Sequence, residues 1–140
     1  MSIWHDTVTI EAANARGENT LFSHLGMNVI EVGDDYLSAT MPVDERTKQP
    51  IGLLNGGASL ALAESLASLA ANLAVDREKR YCVGVEINGN HIKSARGGEV
   101  TATARPYHLG RSTQVWEIRI VQGENLICIS RMTLAVIERT

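Results

Sequence analysis

The hydrophobic pattern changes period along the chain, and each change predicts an element. Residues 27–32 and 36–43 flank Gly33-Asp34-Asp35, a hairpin-type turn. In the second run Leu37, Ala39, Met41 and Val43 alternate with Tyr36, Ser38 and Thr40, the two-residue period of a strand with one buried face. Residues 57–75 are rich in Ala and Leu, with no proline and no β-branched residue before Val75. That composition predicts a helix of about 28 Å, apolar nearly all round and therefore buried on most faces. A charged loop, 76–80, ends it.

Four further runs read as strands. Residues 81–91 place Tyr81, Val83, Val85 and Ile87 on one face, 99–105 place Val100, Ala102 and Ala104 together, and 113–121 place Trp116, Ile118 and Ile120 together. The last, 126–137, is nearly apolar on both faces, as a central strand is. Short turns at 95–98, 108–112 and 122–125 join them, which predicts an antiparallel sheet. A short helix over 9–16, capped by Thr7 or Thr9, precedes all of these. One long helix plus about six strands is an α+β layer solution, a sheet wrapped around a central helix.

Length adds that this is one domain, residues 1–140, with no linker or repeat inside it. Thirteen basic against sixteen acidic residues leave a net charge of −3, which argues against a nucleic-acid binder. Cys82 and Cys128 lack any metal-ligand spacing and read as free core thiols of a reducing compartment. The N-terminal residues show no secretion signal, so a cytoplasmic location is expected. A membrane-spanning reading of the long helix conflicts with its central Glu64, which costs about 2.5–3.5 kcal/mol on insertion scales. The four histidines show no metal spacing, and no phosphate-binding or dinucleotide motif is present, so neither a metal nor a redox cofactor is expected.

Glu64 is the one ionisable side chain between Gln49 and Val75. Ser68 and Asn72 follow at i+4 and i+8, so the three make a polar stripe on an apolar helix. Two readings stand. In one, Glu64 occupies an exposed edge or is a hydrogen-bonded structural acid. In the other it lies at the base of a cleft, partly desolvated, with its pKa pushed up toward a general base's range. Gly56-Gly57 precede it at the helix start, where N–H groups and the helix dipole suit an oxyanion. Asn55 suits an N-cap.

The segments around these residues resemble a known family. Gln49-Pro50-x-Gly52-Leu53-Leu54-Asn55-Gly56-Gly57-Ala58-Ser59, continuing to Leu62-Ala63-Glu64-Ser65, resembles the hotdog-fold thioesterases of the phenylacetate-type group. So do Val83-Gly84-x-Glu86-Ile87-Asn88-x-Asn90-His91 and Pro106-x-His108-Leu109-Gly110-Arg111. The resemblance covers nearly the whole chain. Within the group it is nearest to the aryl-CoA thioesterases of menaquinone synthesis, with the enterobactin-pathway proofreading thioesterases as near relatives.

The resemblance implies a hotdog fold and hydrolysis of acyl-CoA, with coenzyme A entering as part of the substrate and no cofactor. It implies homodimers with shared sites, paired as a homotetramer, and either CoA or an acyl or aryl carrier protein as the thiol carrier. It implies Glu64 as nucleophile or general base, Gly56 N–H as carbonyl donor, Gln49 near the thioester and Ser68 as a positioning hydroxyl. Gly84, His91, Ile92, Lys93, Ser94, His108, Leu109, Gly110, Arg111, Ser112 and Thr113 would line the CoA and acyl site. Taken from the residues alone, the cations Lys93, Arg96 and Arg111 read equally as solvated turns. One departure concerns Asn55, where the family usually has His. Asn can cap and hydrogen-bond but cannot titrate near neutrality. Rival expectations are a dehydratase, which lacks its catalytic His here, and a non-catalytic or weakly active acyl-CoA or acyl-carrier binding protein.

Overall fold

The computed structural model describes all residues, 1–140. Six strands form one antiparallel sheet: β1 (Asn28–Val32), β2 (Leu37–Pro42), β3 (Arg80–His91), β4 (Glu99–Leu109), β5 (Thr113–Gln122) and β6 (Asn125–Glu138). Their spatial order is β1-β2-β4-β5-β6-β3, every neighbour antiparallel. Helix α3 (Gly56–Leu73) packs on the sheet, and two short helices, α1 (Ile10–Ala15) and α2 (Leu21–His24), precede β1. This is the expected α+β hotdog arrangement. No helix is long and apolar enough to cross a membrane.

Local chemistry sets the helix ends. Thr9 caps α1 by accepting from Ala12 N–H, and Asn55 caps α3 by accepting from Gly57 N–H at 2.7 Å. Helix α3 ends two residues earlier than the hydrophobic run. Ala74 is its C-cap, donating to Ala70 and Ala71 carbonyls, and Val75 is buried beyond it. The single turn of α2, capped by Thr20, is too short to leave a period in the sequence.

Helix α3 buries Leu62, Ala63, Leu66, Ala67, Ala70 and Ala71 completely against the sheet face carrying Ala39, Val100, Ala102, Ile118, Cys128 and Met132. Fully burying a Leu of this kind is worth about 2 kcal/mol. Asn72 fastens the helix's last turn to β3: its Oδ1 accepts from Cys82 N–H at 2.9 Å, and its Nδ2 donates to the Cys82 carbonyl at 3.1 Å. Trp116 is fully buried, with Trp4 stacked on it. Both cysteines are buried and free.

Two expectations about strands need correction. First, Tyr81, Val83, Val85 and Ile87 do not share a face. The register with β6 slips between Gly84 and Glu86, leaving Val85 as an extra residue. Cys82 and Gly84 point to the helix before this bulge, and Ile87, Gly89 and His91 do so after it. Val83 and Val85 are exposed. Second, the strand nearly apolar on both faces, β6, is not at the centre of the order but lies one in from the edge, between β5 and β3. Strand β3 is the edge itself, one side bonded to β6 and the other unpaired.

Strand β4 runs past Arg105 to Leu109 and so includes Pro106. Its neighbour β2 reaches only to Ala104, so the proline sits where one side of the strand has no partner, the place a missing N–H does least harm.

Candidate active site

The loop before α3 is held by its backbone. Gln49 N–H donates to the Leu53 carbonyl, Asn55 N–H to Thr47, and Leu54 N–H to Ala95. Gln49 Oε1 accepts from Ile51 N–H at 2.7 Å, which leaves its amide NH2 as a donor without a protein partner. The Asn55 side chain is committed to the Gly57 N–H. The N–H of Gly56, the first residue of α3, therefore donates to no protein acceptor. It is an orphan donor at the positive end of an 18-residue helix.

A cavity of about 230 Å³ opens beside this donor, bordered by Gln49, Leu53, Gly56, Ser59, His91, Ile92, Lys93 and Ser94. The imidazole of His91 stands directly over the helix start: a Cβ on Gly56 would lie 2.7 Å from His91 Nε2. The first CoA segment expected from the sequence, 91–94, is thus brought together with Gln49 and Gly56. Lys93 Nζ donates to Asn125 Oδ1 at 3.1 Å.

Glu64 belongs to a second cluster. It borders an open groove with Leu21, Gly57, Leu60, Ala61, Ser65 and Ser68. Gly84 faces its carboxylate: a Cβ there would stand 2.7 Å from Glu64 Oε2. Of the two readings of Glu64 open from the sequence, the exposed edge is the one seen within a single chain: the residue is exposed, beside Gly84 of β3. Nor does one chain unite Gly56 with Glu64 on a single carbonyl. Eight residues of helix separate them, about 12 Å along the axis. An attacked carbonyl needs its oxygen near one and its carbon near the other, each within about 3 Å.

The second CoA segment is also remote within the chain. His108, Leu109, Gly110, Arg111, Ser112 and Thr113 form the β4–β5 connection, closed by Gly110 N–H donating to the Thr113 carbonyl. Thr113 pairs with Ala135 on β6, whereas His91 pairs with Cys128. Those two β6 positions are seven residues apart, about 23 Å of strand. Arg111 forms no ion pair.

Sequence reasoning missed Leu21 of α2 and the buried Ser59. The signal for Ser59 was present, as it lies one turn beyond Asn55 and Gly56 on the helix, but no pattern marked Leu21. No group of three or more His, Cys, Asp or Glu side chains is placed to hold a metal ion. What the arrangement offers is two half-sites: an oxyanion donor with an amide and an imidazole, and a carboxylate with a hydroxyl.

Comparison with known proteins assigns this arrangement to a family. Residues 51–129 match the family model described as thioesterase superfamily. The chain is 49% identical over 136 residues to the 1,4-dihydroxy-2-naphthoyl-CoA hydrolase of Escherichia coli, covering 96% of this chain and 99% of that protein. It is 48% identical to a proofreading thioesterase of Cronobacter turicensis, covering 96% and 98% of the two. Among solved structures, a mutant thioesterase from Pseudomonas aeruginosa superposes with a TM-score of 0.96 at 47% identity, covering 99% of this chain and 100% of that one. A thioesterase from Haemophilus influenzae gives 0.93 at 49% identity, covering 97% and 95%. By matched family, by sequence and by fold, the chain belongs to the thioesterase superfamily: it is a thioester hydrolase built on the hotdog fold.

Proposed function

We propose that the chain hydrolyses acyl-CoA thioesters, with aromatic acyl groups preferred, at sites shared between two copies. The observation that carries the reading is the free Gly56 N–H at the start of α3, on the same helix as the exposed carboxylate of Glu64 but about 12 Å away. A two-fold pairing supplies what one chain lacks, bringing Glu64 of one protomer to Gly56, Gln49 and His91 of the other. The unpaired edge of β3, with Val83 and Val85 exposed, is the surface for that pairing. The same pairing lets the β4–β5 connection of one copy approach the CoA bound at the other, and two such dimers make a tetramer.

Hydrolysis then runs as follows. The thioester carbonyl lies against Gly56 N–H, which stabilises the negative charge that develops on its oxygen. One such donor is commonly worth about 3–4 kcal/mol. Glu64 either attacks the carbonyl carbon, expelling the CoA thiolate and leaving a mixed anhydride that water cleaves, or takes a proton from the water that attacks. Both routes give the free acid and CoA, and neither calls for a cofactor. The aromatic preference, and a place in menaquinone synthesis, are supported by the name and 49% identity of the Escherichia coli hydrolase.

The test is thiol release from an aromatic acyl-CoA, a short and a long aliphatic acyl-CoA, and an aryl-loaded carrier protein. The aromatic CoA should be the best substrate, and Glu64→Ala should abolish its turnover. Mixing Glu64→Ala with Gly56→Pro protomers should restore activity, because one of the two sites in each mixed dimer is intact, about a quarter of all sites after random 1:1 pairing. Binding without turnover by the wild type would instead mark a binding protein, and no recovery on mixing would refute the shared site.

A further inference from the structure

The groove at Glu64 continues beyond the reacting group. Past Ser65 and Ser68, along the outward face of α3, it joins a cavity of about 310 Å³ walled by Phe22 and Leu69 and ended by Arg16. Leu21, Ser65 and Ser68 border both spaces. Leu21, Phe22 and Leu69 supply apolar wall and Thr20, Ser65, Ser68, Asn72 and Arg16 polar groups, a mixed lining of a size that suits part of a small polar-substituted ligand.

The two polar side chains at the far end differ. Asn72 is spent on the Ser68 carbonyl and on both backbone groups of Cys82. Arg16 has no ion pair and its side chain makes no hydrogen bond. Partial burial, and then the like charge of Arg77, lower the pKa of its guanidinium below the ordinary value. Arg16 is exposed, and of the acids that border the adjoining depression with it, Asp6, Asp76 and Glu78, none forms an ion pair with it. Asp76, an acid of the adjoining polar depression, is already engaged by Lys79 at 3.4 Å, His5 at 3.8 Å and Glu78 N–H at 3.1 Å.

We propose that Arg16 is a specificity-determining residue that pairs with an anionic oxygen, carboxylate or phenolate, at the distal end of the substrate's acyl group. The inference rests on the assignment of Glu64 to the thioester. From Glu64 to the level of Asn72 the helix rises about 12 Å, room for a bicyclic or extended aryl group between the carbonyl and the guanidinium. A guanidinium takes a carboxylate through two parallel N–H donors, and a charged hydrogen bond of this kind changes affinity by about tenfold or more.

The experiment compares 2-naphthoyl-CoA with 6-carboxy-2-naphthoyl-CoA in the wild type, Arg16→Met and Arg16→Lys. The readout is the ratio of the two kcat/KM values, which cancels any effect of the substitution common to both substrates. The wild type should favour the carboxylated substrate about tenfold, Arg16→Met should bring the ratio near one, and Arg16→Lys should keep part of the preference. The same ratio in wild type and Arg16→Met overturns the proposal. Calorimetry with amide-linked, hydrolysis-inert forms of the two CoA compounds gives a second reading. There the ratio of Kd values should respond to Arg16 in the same way, and an unchanged ratio overturns the proposal. Wild-type protein that binds both compounds but hydrolyses neither thioester counts against the catalytic reading of Glu64, while the Kd ratio still decides the role of Arg16.

Discussion

Glu64 rests against Gly84. The carboxylate of α3 occupies the space a side chain on β3 would take, with Oε2 2.7 Å and Met132 Cε 2.8 Å from the position of a Cβ. Gly84 is therefore required for space. Gly84→Ala should cost only about 1 kcal/mol of stability, because both atoms it meets are the ends of flexible side chains. Its effect on turnover should be larger, a fall in kcat of about 10–100-fold, since the displaced group is the proposed reacting carboxylate. Thermal melts and steady-state kinetics on the one variant check both numbers.

Gly56 permits a cleaner dissection. Asn55 has an extended backbone, φ −67° and ψ 131°, the conformation favoured before proline, and proline is well tolerated at the first position of a helix. Gly56→Pro thus removes the N–H while keeping the helix start. It should lower kcat by about 10²–10³-fold. Gly56→Ala keeps the N–H and meets only the movable His91 ring, so its loss should be much smaller. Equal losses in the two variants would mean that the displaced imidazole, and not the donor, matters.

Asn55 has a structural task that its side chain already performs. Removing its 2.7 Å bond to Gly57 N–H by Asn55→Ala should destabilise the fold by about 1 kcal/mol, and Asn55→Asp or Asn55→Ser should restore most of it. Urea midpoints report this directly. Asn55→His, which installs the residue usual in the family, should lower the midpoint in the same way. A gain in kcat alongside that loss would show that an imidazole here assists the chemistry.

Burial pushes the Cys82 thiol up to about 11, with nearby Arg80 opposing the shift. The folded protein holds this proton more tightly than the unfolded chain does. Its contribution to stability is full below the ordinary thiol range near 8.5 and is lost as the pH rises toward about 11. Between pH 8 and 11 the wild type should lose on the order of 1 kcal/mol more than Cys82→Ala. Iodoacetamide at pH 8 should label Cys82 only after denaturant unfolds the chain.

Much of this was legible in the sequence because it is local. The Ala- and Leu-rich run, the alternation through Leu37–Met41 and Trp116–Ile120, and the lone Glu64 each announce themselves within a few residues. What the sequence obscured is three-dimensional. Gly56 and Glu64 lie two turns apart, which reads as proximity in a motif but is about 12 Å of helix. His91 and the 108–113 segment resemble one binding surface, yet β6 holds them seven residues apart. Arg16 gave no signal because its significance comes from a groove assembled by α2 and α3.

The extra residue at Val85 has a consequence for the layout of the proposed site. Ahead of the bulge, β3 is set to offer Gly84 to Glu64; behind it, the strand is a half-step out of phase and offers His91 to Gly56. One strand thereby serves both halves of the proposed site. What matters is that Val85 is left out of the ladder and not the chemistry of its side chain, which is exposed. A substitution scan would pass over position 85, and deleting it would remove the bulge yet leave His91 facing the helix; pairing Val85 regularly into the ladder is what would carry Glu86, Asn88 and Asn90 inward and turn His91 away.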